Sequence, residues 1–376
     1  MKFYNEYLYC IHCAILGDII GFGNGSVEFN FNQNNLINTR SDVDKLATLS
    51  NTHVANFIAR GGYTNIDISK DIVSDDSILL LAVLDAMTKI KSKNLDEIIE
   101  TIKLNFNEFY KKDKKRDERY YGIRTIKSLK RIDEGKNWDK YSYSETSGGC
   151  GASIRCMSIG MILHEEKEID KLIEISIQSS RITHNNAIGY LGGLSSAYLT
   201  SLAIKKINPE KWIFNLLELL KSDKLKKFIK EVVCKEFPDD INKHYDDLKY
   251  YTNLVRIYID LRFDNEKHKN DIFMRLFDRR SQFYYDNFAS SGIYKKYFNP
   301  GSNGLDSIII AYDCFLDCKG SFETLIYYSM LHAGDSDSTG CIAGAFYGAY
   351  YGKFDLPKNM YNIELFKEMK HLVDTI

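Results

Sequence analysis

An all-α fold is what this sequence predicts, and three observations predict it. Proline breaks helices because it lacks an N–H and clashes with the preceding turn. It occurs only 4 times in 376 residues, at Pro209, Pro238, Pro300 and Pro357. Apolar residues recur with a helical period along most of the chain, while the alternation of a strand is scarce. Glycines also fall in rows four apart, which share one stripe of a helix. The rows are Gly17, Gly21 and Gly25; Gly189 and Gly193; and Gly340, Gly344, Gly348 and Gly352. A mid-helix glycine costs about 0.5–1 kcal/mol relative to alanine. Rows of them therefore imply close approach of another backbone. Gly23, Gly25 and Gly352 read instead as loop or C-cap residues.

Taken in order, the predicted helices are 6–20, 77–91, 95–109, 152–163, 168–183, 189–204, 212–220, 225–234, 306–318, 322–331 and 339–351. The first imitates a signal peptide, with Lys2 before an apolar run over 8–16, but its basic start is weak and Glu6 adjoins the run. It reads as a first core helix. The polar stretch 30–44, the charged stretch 111–140 and the segment 234–270 read as insertions. No repeat, low-complexity tract or linker divides the chain, so a single domain over 1–376 is expected.

Lys+Arg is 50 and Asp+Glu 51, a net charge of −1. That balance gives no support for a nucleic-acid or anionic-membrane surface. The mixed-sign run 111–119 reads as a solvated face. No stretch approaches the roughly 20 apolar residues of a transmembrane helix. Of the 8 cysteines, Cys10/Cys13 and Cys314/Cys318 have spacings compatible with zinc, but each pair also fits one face of a helix, the preferred reading. A reducing, cytoplasmic or otherwise intracellular setting and a monomer are expected.

Two acidic motifs precede helices: Ser74-Asp75-Asp76-Ser77 and Asp335-Ser336-Asp337-Ser338-Thr339. Ser and Asp are favoured N-caps, and acids suit the positive helix end. One cap needs only one side chain, however. Crowded carboxylates repel unless protonated or neutralised, and a hard divalent cation such as Mg²⁺ or Mn²⁺ resolves that. Two such cations would grip a water or substrate oxygen between them. A glycine-rich loop, Ser147-Gly148-Gly149-Cys150-Gly151, opens a helix and offers backbone N–H groups to an anion such as pyrophosphate. Arg155 reads as a phosphate ligand or, slightly preferred, as the partner of an internal carboxylate. His184 sits at a helix junction, where a capping or core role is the commoner fate. Gly301-Ser302-Asn303-Gly304-Leu305-Asp306 is a polar loop before a helix, and Asn24-Gly25-Ser26-Val27-Glu28-Phe29 brings one more carboxylate.

Together these elements resemble the ADP-ribosylglycohydrolase family, and most the ADP-ribosylarginine hydrolase branch. Gly17-Asp18-Ile19-Ile20-Gly21, the Asn24–Phe29 loop, Val73-Ser74-Asp75-Asp76-Ser77, Gly149-Cys150-Gly151-Ala152 with Arg155, Thr183-His184 before Gly189-Tyr190-Leu191-Gly192, Ala311-Tyr312-Asp313 and His332 through Thr339 occur in the family order. Ser77 stands where the family commonly has Thr, Ile154 where it has Met, and 185–188 lacks its usual proline.

The resemblance implies an orthogonal multi-helix bundle with a binuclear Mg²⁺ centre, Mn²⁺ being a substitute. Ser74, Asp75, Asp76, Asp335, Asp337 and Ser338 would ligate the metals. Asp75 or Asp76 would act as base, with Glu28 as a further ligand or proton carrier. Residues Ser147, Gly148, Gly149, Cys150 and Gly151 would bind the diphosphate of ADP-ribose. Ser302, Gly304, Asp306 and His184 would contact substrate, and Tyr294 or Tyr297 would stack on adenine. The implied reaction releases ADP-ribose from arginine on modified proteins. Serine, poly(ADP-ribose) or O-acetyl-ADP-ribose linkages, or a non-catalytic ADP-ribose-binding or structural role, are the alternatives.

Overall fold

The computed structural model describes residues 2–28, 42–92, 94–289 and 299–376. Among these residues the fold is all-α, and the paired strands are the two-residue segments Phe263–Asp264 and Lys267–His268. Asn265 and Glu266 join them with φ of 46° and 61°, the mirror-image turn that suits hairpin twist.

Two glycine-striped helices, Tyr4–Phe22 and Ser336–Tyr351, form the centre. Their stripes face each other. A Cβ at Gly17 would overlap the Gly340 carbonyl, at Gly344 the Cys13 carbonyl, and at Gly348 the Tyr9 carbonyl. The backbones thus approach where ordinary side chains would hold them apart, which explains the glycine rows. The first helix is buried continuously from Tyr9 to Phe22, as a core helix should be. Gly23 ends it at φ 52°, and Gly352 ends the other at φ 66°. A second tight joint sets Gly192, in the helix Ala187–Ile204, against the Gly304 carbonyl.

Each predicted helix is present, with two breaks. Cys156 divides Gly151–Arg155 from Met157–Ile162, and Asp223–Phe228 passes into a wider turn over Ile229–Val233. Helices Asp42–Ala59, Ile123–Asp133, Ile241–Arg262 and Phe366–Asp374 lie where the pattern predicted none. Ile241–Arg262, within the expected insertion 234–270, buries Tyr251, Leu254, Val255 and Tyr258. Its buried tyrosines keep hydroxyl partners, such as Tyr251 donating to Ser195 Oγ at 2.9 Å, so its core face looks polar in sequence. The stretch 30–44 lies almost wholly outside the described residues.

Three expectations need correction or closure. The run 111–119 is not a uniformly solvated face. Arg119 is buried, 2.9 Å from Asp113 and 3.0 Å from Glu364. The helices Tyr4–Gly25 and Ala187–Ile204 are long and apolar enough to cross a membrane, against the expectation of none, yet 89% and 94% of their apolar windows are buried inside the fold. Cys10, Cys13 and Cys314 are free and buried on helices, and Cys318, also free and buried, follows the last turn of Asp306–Asp317.

Candidate active site

Ser74 caps the helix Asp75–Thr88 by accepting the Asp76 N–H at 3.2 Å. The carboxylates of Asp75 and Asp76 are thereby left free of that duty. Asp18, from the first helix, fixes the same turn. Its Oδ1 accepts the Ser74 N–H at 2.9 Å, and its Oδ2 accepts the Ser77 N–H at 3.0 Å and the Ser77 hydroxyl. From the other side, Glu364 accepts the Val73 N–H at 2.9 Å, and Arg119 donates to the Val73 carbonyl at 2.7 Å. The Asp75 N–H donates to the Arg119 carbonyl at 3.1 Å, and Gly122 N–H reaches Asp75 Oδ2 at 3.3 Å.

Asp335 stands at the N-cap position of Ser336–Tyr351, and its N–H donates to the Pro300 carbonyl at 2.9 Å. Ser338 Oγ donates to Asp76 Oδ2 at 2.8 Å, which joins the two acidic motifs. Glu28, Asp335 and Asp337 each bring a carboxylate oxygen within 4.8 Å of the others. Cys150 Sγ donates to Asp335 Oδ2 at 3.2 Å, so the glycine loop meets the same centre.

Burial first, then mutual repulsion, governs the charges. Burial pushes Asp75 and Asp335 up to about 7. Asp76, Asp337 and Glu28 are raised well above the carboxylate range by burial and then by one another. None of these acids forms an ion pair with Lys or Arg among the described residues. Glu28 Oε2 and Asp335 Oδ1 are buried without a hydrogen-bond partner. All-oxygen donors, surplus negative charge and orphaned carboxylate oxygens fit a hard divalent cation.

The loop 147–151 and the loop 301–306 form one surface. Gly304 N–H donates to the Gly148 carbonyl at 3.0 Å and Cys150 N–H to the Ser302 carbonyl at 3.2 Å. His184 is buried beneath the first loop, its ring 3.3 Å from a Cβ built at Gly151. Burial lowers it to about 3, so it is neutral, and its Nδ1 lies 2.6 Å from Thr183 Oγ1. Arg155 forms no ion pair with a carboxylate among the described residues. It donates to the Gly151 and Ser180 carbonyls, both at 3.2 Å, and to Thr183 Oγ1 at 2.5 Å. The reason is depth: fully buried, it ties together the chain beneath the loop.

Ser302 is half-buried at the surface of its loop, whereas Gly304 is wedged against the Ile188 carbonyl. Asp306 Oδ1 accepts the Asn303 N–H at 3.0 Å, while its Oδ2 is unpartnered and burial pushes the group up to about 7. Tyr294 and Tyr297 lie outside the described residues. Sequence reasoning gave no role to Asp18, Arg119 or Glu364. The Gly17–Gly21 motif did single out Asp18, but nothing in the pattern linked Arg119 to Glu364.

A family model described as ADP-ribosylglycohydrolase matches residues 1–375. The chain belongs to the ADP-ribosylglycohydrolase family. Among proteins similar to this ADP-ribosylglycohydrolase-family chain is one of Acanthamoeba polyphaga mimivirus with the provisional name ADP-ribosyl glycohydrolase L444. It is 30% identical over 89% of this chain, and the match spans 62% of its own length. ADP-ribosylhydrolase ARH1 of Dictyostelium discoideum is 32% identical, with 80% of this chain and 79% of that protein covered. ADP-ribosylhydrolase ARH3 of Xenopus tropicalis is 22% identical over 76% of this chain and 75% of its own. A solved structure titled ADP-ribosylglycohydrolase-related protein complex shares the fold at a TM-score of 0.56, with 15% identity, over 100% of this chain and 98% of that one.

Proposed function

We propose that this chain is a Mg²⁺-dependent hydrolase that releases ADP-ribose from arginine side chains of modified proteins. The observation that carries the reading is the convergence of Glu28, Asp76, Asp335 and Asp337, from three segments, with orphaned oxygens and no Lys or Arg paired to them among the described residues. Ser74, Asp75, Asp76, Asp335, Asp337 and Ser338 would hold two ions, Mn²⁺ substituting for Mg²⁺. Bound there, the metal would neutralise the acids and lower the pKa of a water.

The chain's own groups supply the rest. Asp75 is half-buried where the other acids are buried, so it is the one placed to exchange a proton with solvent. It is the proposed base, with Asp76 and Glu28 behind it. As a water attacks the anomeric carbon and the C–N bond breaks through an oxocarbenium-like transition state, Asp75 would take the water's proton and the departing guanidine would regain one from solvent. The loop 147–151 turns backbone towards the diphosphate, and Ser302 reaches the same surface. His184, neutral and buried, supports that loop from below. The arginine linkage rests on the Asn24–Phe29 sequence motif and on greater identity to the relative named ARH1 than to that named ARH3. A monomeric, intracellular enzyme is part of the same proposal.

The test compares ADP-ribosyl-arginine with ADP-ribosyl-serine peptides, in Mg²⁺ and in EDTA. Mg²⁺-dependent release from arginine alone is the expected result. Full activity in excess EDTA would remove the metal, and release from serine alone would replace the linkage.

A further inference from the structure

A cavity of about 250 Å³ opens beside the glycine loop, and Ser147 is part of its wall. One wall is a face of the helix Ile123–Asp133. Arg124, Lys127 and Arg131 line the cavity from that helix, at the three- and four-residue spacing that places them on one stripe. Arg181, which is 5% exposed, lines the cavity as well. Arg181 donates only to neutral groups: Asn185 Oδ1 at 2.9 Å, Gln178 Oε1 at 2.7 Å and the Val233 carbonyl at 3.1 Å. No carboxylate side chain lines the cavity among the described residues. Arg181 forms no ion pair with a carboxylate among the described residues, and it shares the cavity with the cations of a basic helix. Aromatic rings back two of these cations, Tyr141 at 4.3 Å from Arg131 and Trp138 at 5.6 Å from Arg181.

The cavity has a direction. Cys150 touches Asp335 at the acidic centre, while Ser147 touches the cavity. A dinucleotide lying along loop 147–151, with its reacting ribose at the acids, sends its adenosine into this basic space. Adenosine is uncharged, and its diphosphate lies back on the loop. The cations therefore exceed what ADP-ribose itself requires. We infer that the cavity binds a further phosphate carried on the adenosine ribose of the substrate. The inference rests on the proposed function and names its substrate class more narrowly. A terminal phosphomonoester and the diphosphate of a following ADP-ribose unit share this chemistry.

Calorimetry on the full chain with Mg²⁺ tests it, using ADP-ribose, ADP-ribose 2′-phosphate and a two-unit ADP-ribose oligomer. At least one phosphate-bearing probe should bind about tenfold tighter than ADP-ribose, with the advantage shrinking as salt rises. Which probe gains distinguishes monoester from diester. The variant Lys127→Gln/Arg131→Gln, both exposed positions, should lose that gain, read as the ratio of each probe's affinity to that of ADP-ribose in the same variant. Equal affinity for all three probes, or a gain that survives in the variant, overturns the inference while leaving the proposed function standing. Failure of ADP-ribose itself to bind overturns both.

Discussion

Two groups of buried or half-buried carboxylates sit in this fold, and the chain treats them in opposite ways. Asp313 and Asp317, on the helix Asp306–Asp317, are met by guanidinium groups. Arg262 lies 2.8 Å from each, and Arg280 lies 3.0 Å from Asp313 and also pairs with Asp317. Tyr258 and Tyr284 donate to Asp313 at 2.9 and 2.7 Å. Burial alone would raise Asp313, but Arg262, His268 and Arg280 outweigh it and hold the carboxyl well below its usual range. At the centre built from Asp75, Asp76, Asp335, Asp337 and Glu28, no Lys or Arg forms an ion pair with an acid among the described residues, and burial pushes every acid up. A carboxylate neutralised within the protein is structure. One left without its counter-charge is a place for something else to bind.

The sharpest way to break this contrast is to remove one acid from each group. Asp313→Asn should cost about 3–5 kcal/mol of stability in urea unfolding, because it leaves buried guanidiniums unmatched. Its turnover per folded molecule should be unchanged. Asp337→Asn should do the reverse, lowering turnover about 100-fold or more while the metal-free protein melts no lower than the parent. If Asp337→Asn unfolds the chain in EDTA, the acidic centre is structural too.

A smaller effect is expected where the glycine stripe holds the two acid-bearing helices together. Gly344→Ala would meet the Cys13 carbonyl and should cost about 1–3 kcal/mol by overpacking. Because it displaces the helix carrying Asp337 from the one carrying Asp18, Mg²⁺ affinity should fall with it, as metal titration would show. Glu364→Gln weakens the clamp on Val73 and should reduce apparent Mn²⁺ affinity about tenfold, read by magnetic resonance of the free ion.

The mildest test is pH, where Asp313 and the acidic centre carry opposite signs. Asp313 is depressed when folded, so its stability contribution is present above the ordinary Asp pKa and lost as pH falls below it. Asp75 and Asp335 are raised to about 7. In EDTA their contribution is present at low pH and lost as pH rises through about 7. Urea midpoints of the metal-free chain should therefore climb from pH 8 to 6, and that climb should vanish with saturating Mg²⁺.

Much of this was legible in the chain. The glycine rows announced close backbone contact because nothing else compensates glycine in a helix. The Ser74–Asp76 and Asp335–Ser338 motifs announced a site because their acids outnumber what capping uses. Arg119 was not legible, since a buried strut and a solvated charge look alike in a run of mixed sign. Nor was Ile241–Arg262, whose tyrosines bury their rings and still find hydroxyl partners.

By itself the sequence determined helix, stripe and residue type, all properties of neighbours within a turn or two. Only the tertiary structure decided which acids are paired. Ser338 meets Asp76 across 262 positions and Arg262 meets Asp313 across 51. Charge neutralisation acts through space, at distances the order of residues does not encode, so the difference between the structural aspartates and the site appears only once the chain has folded.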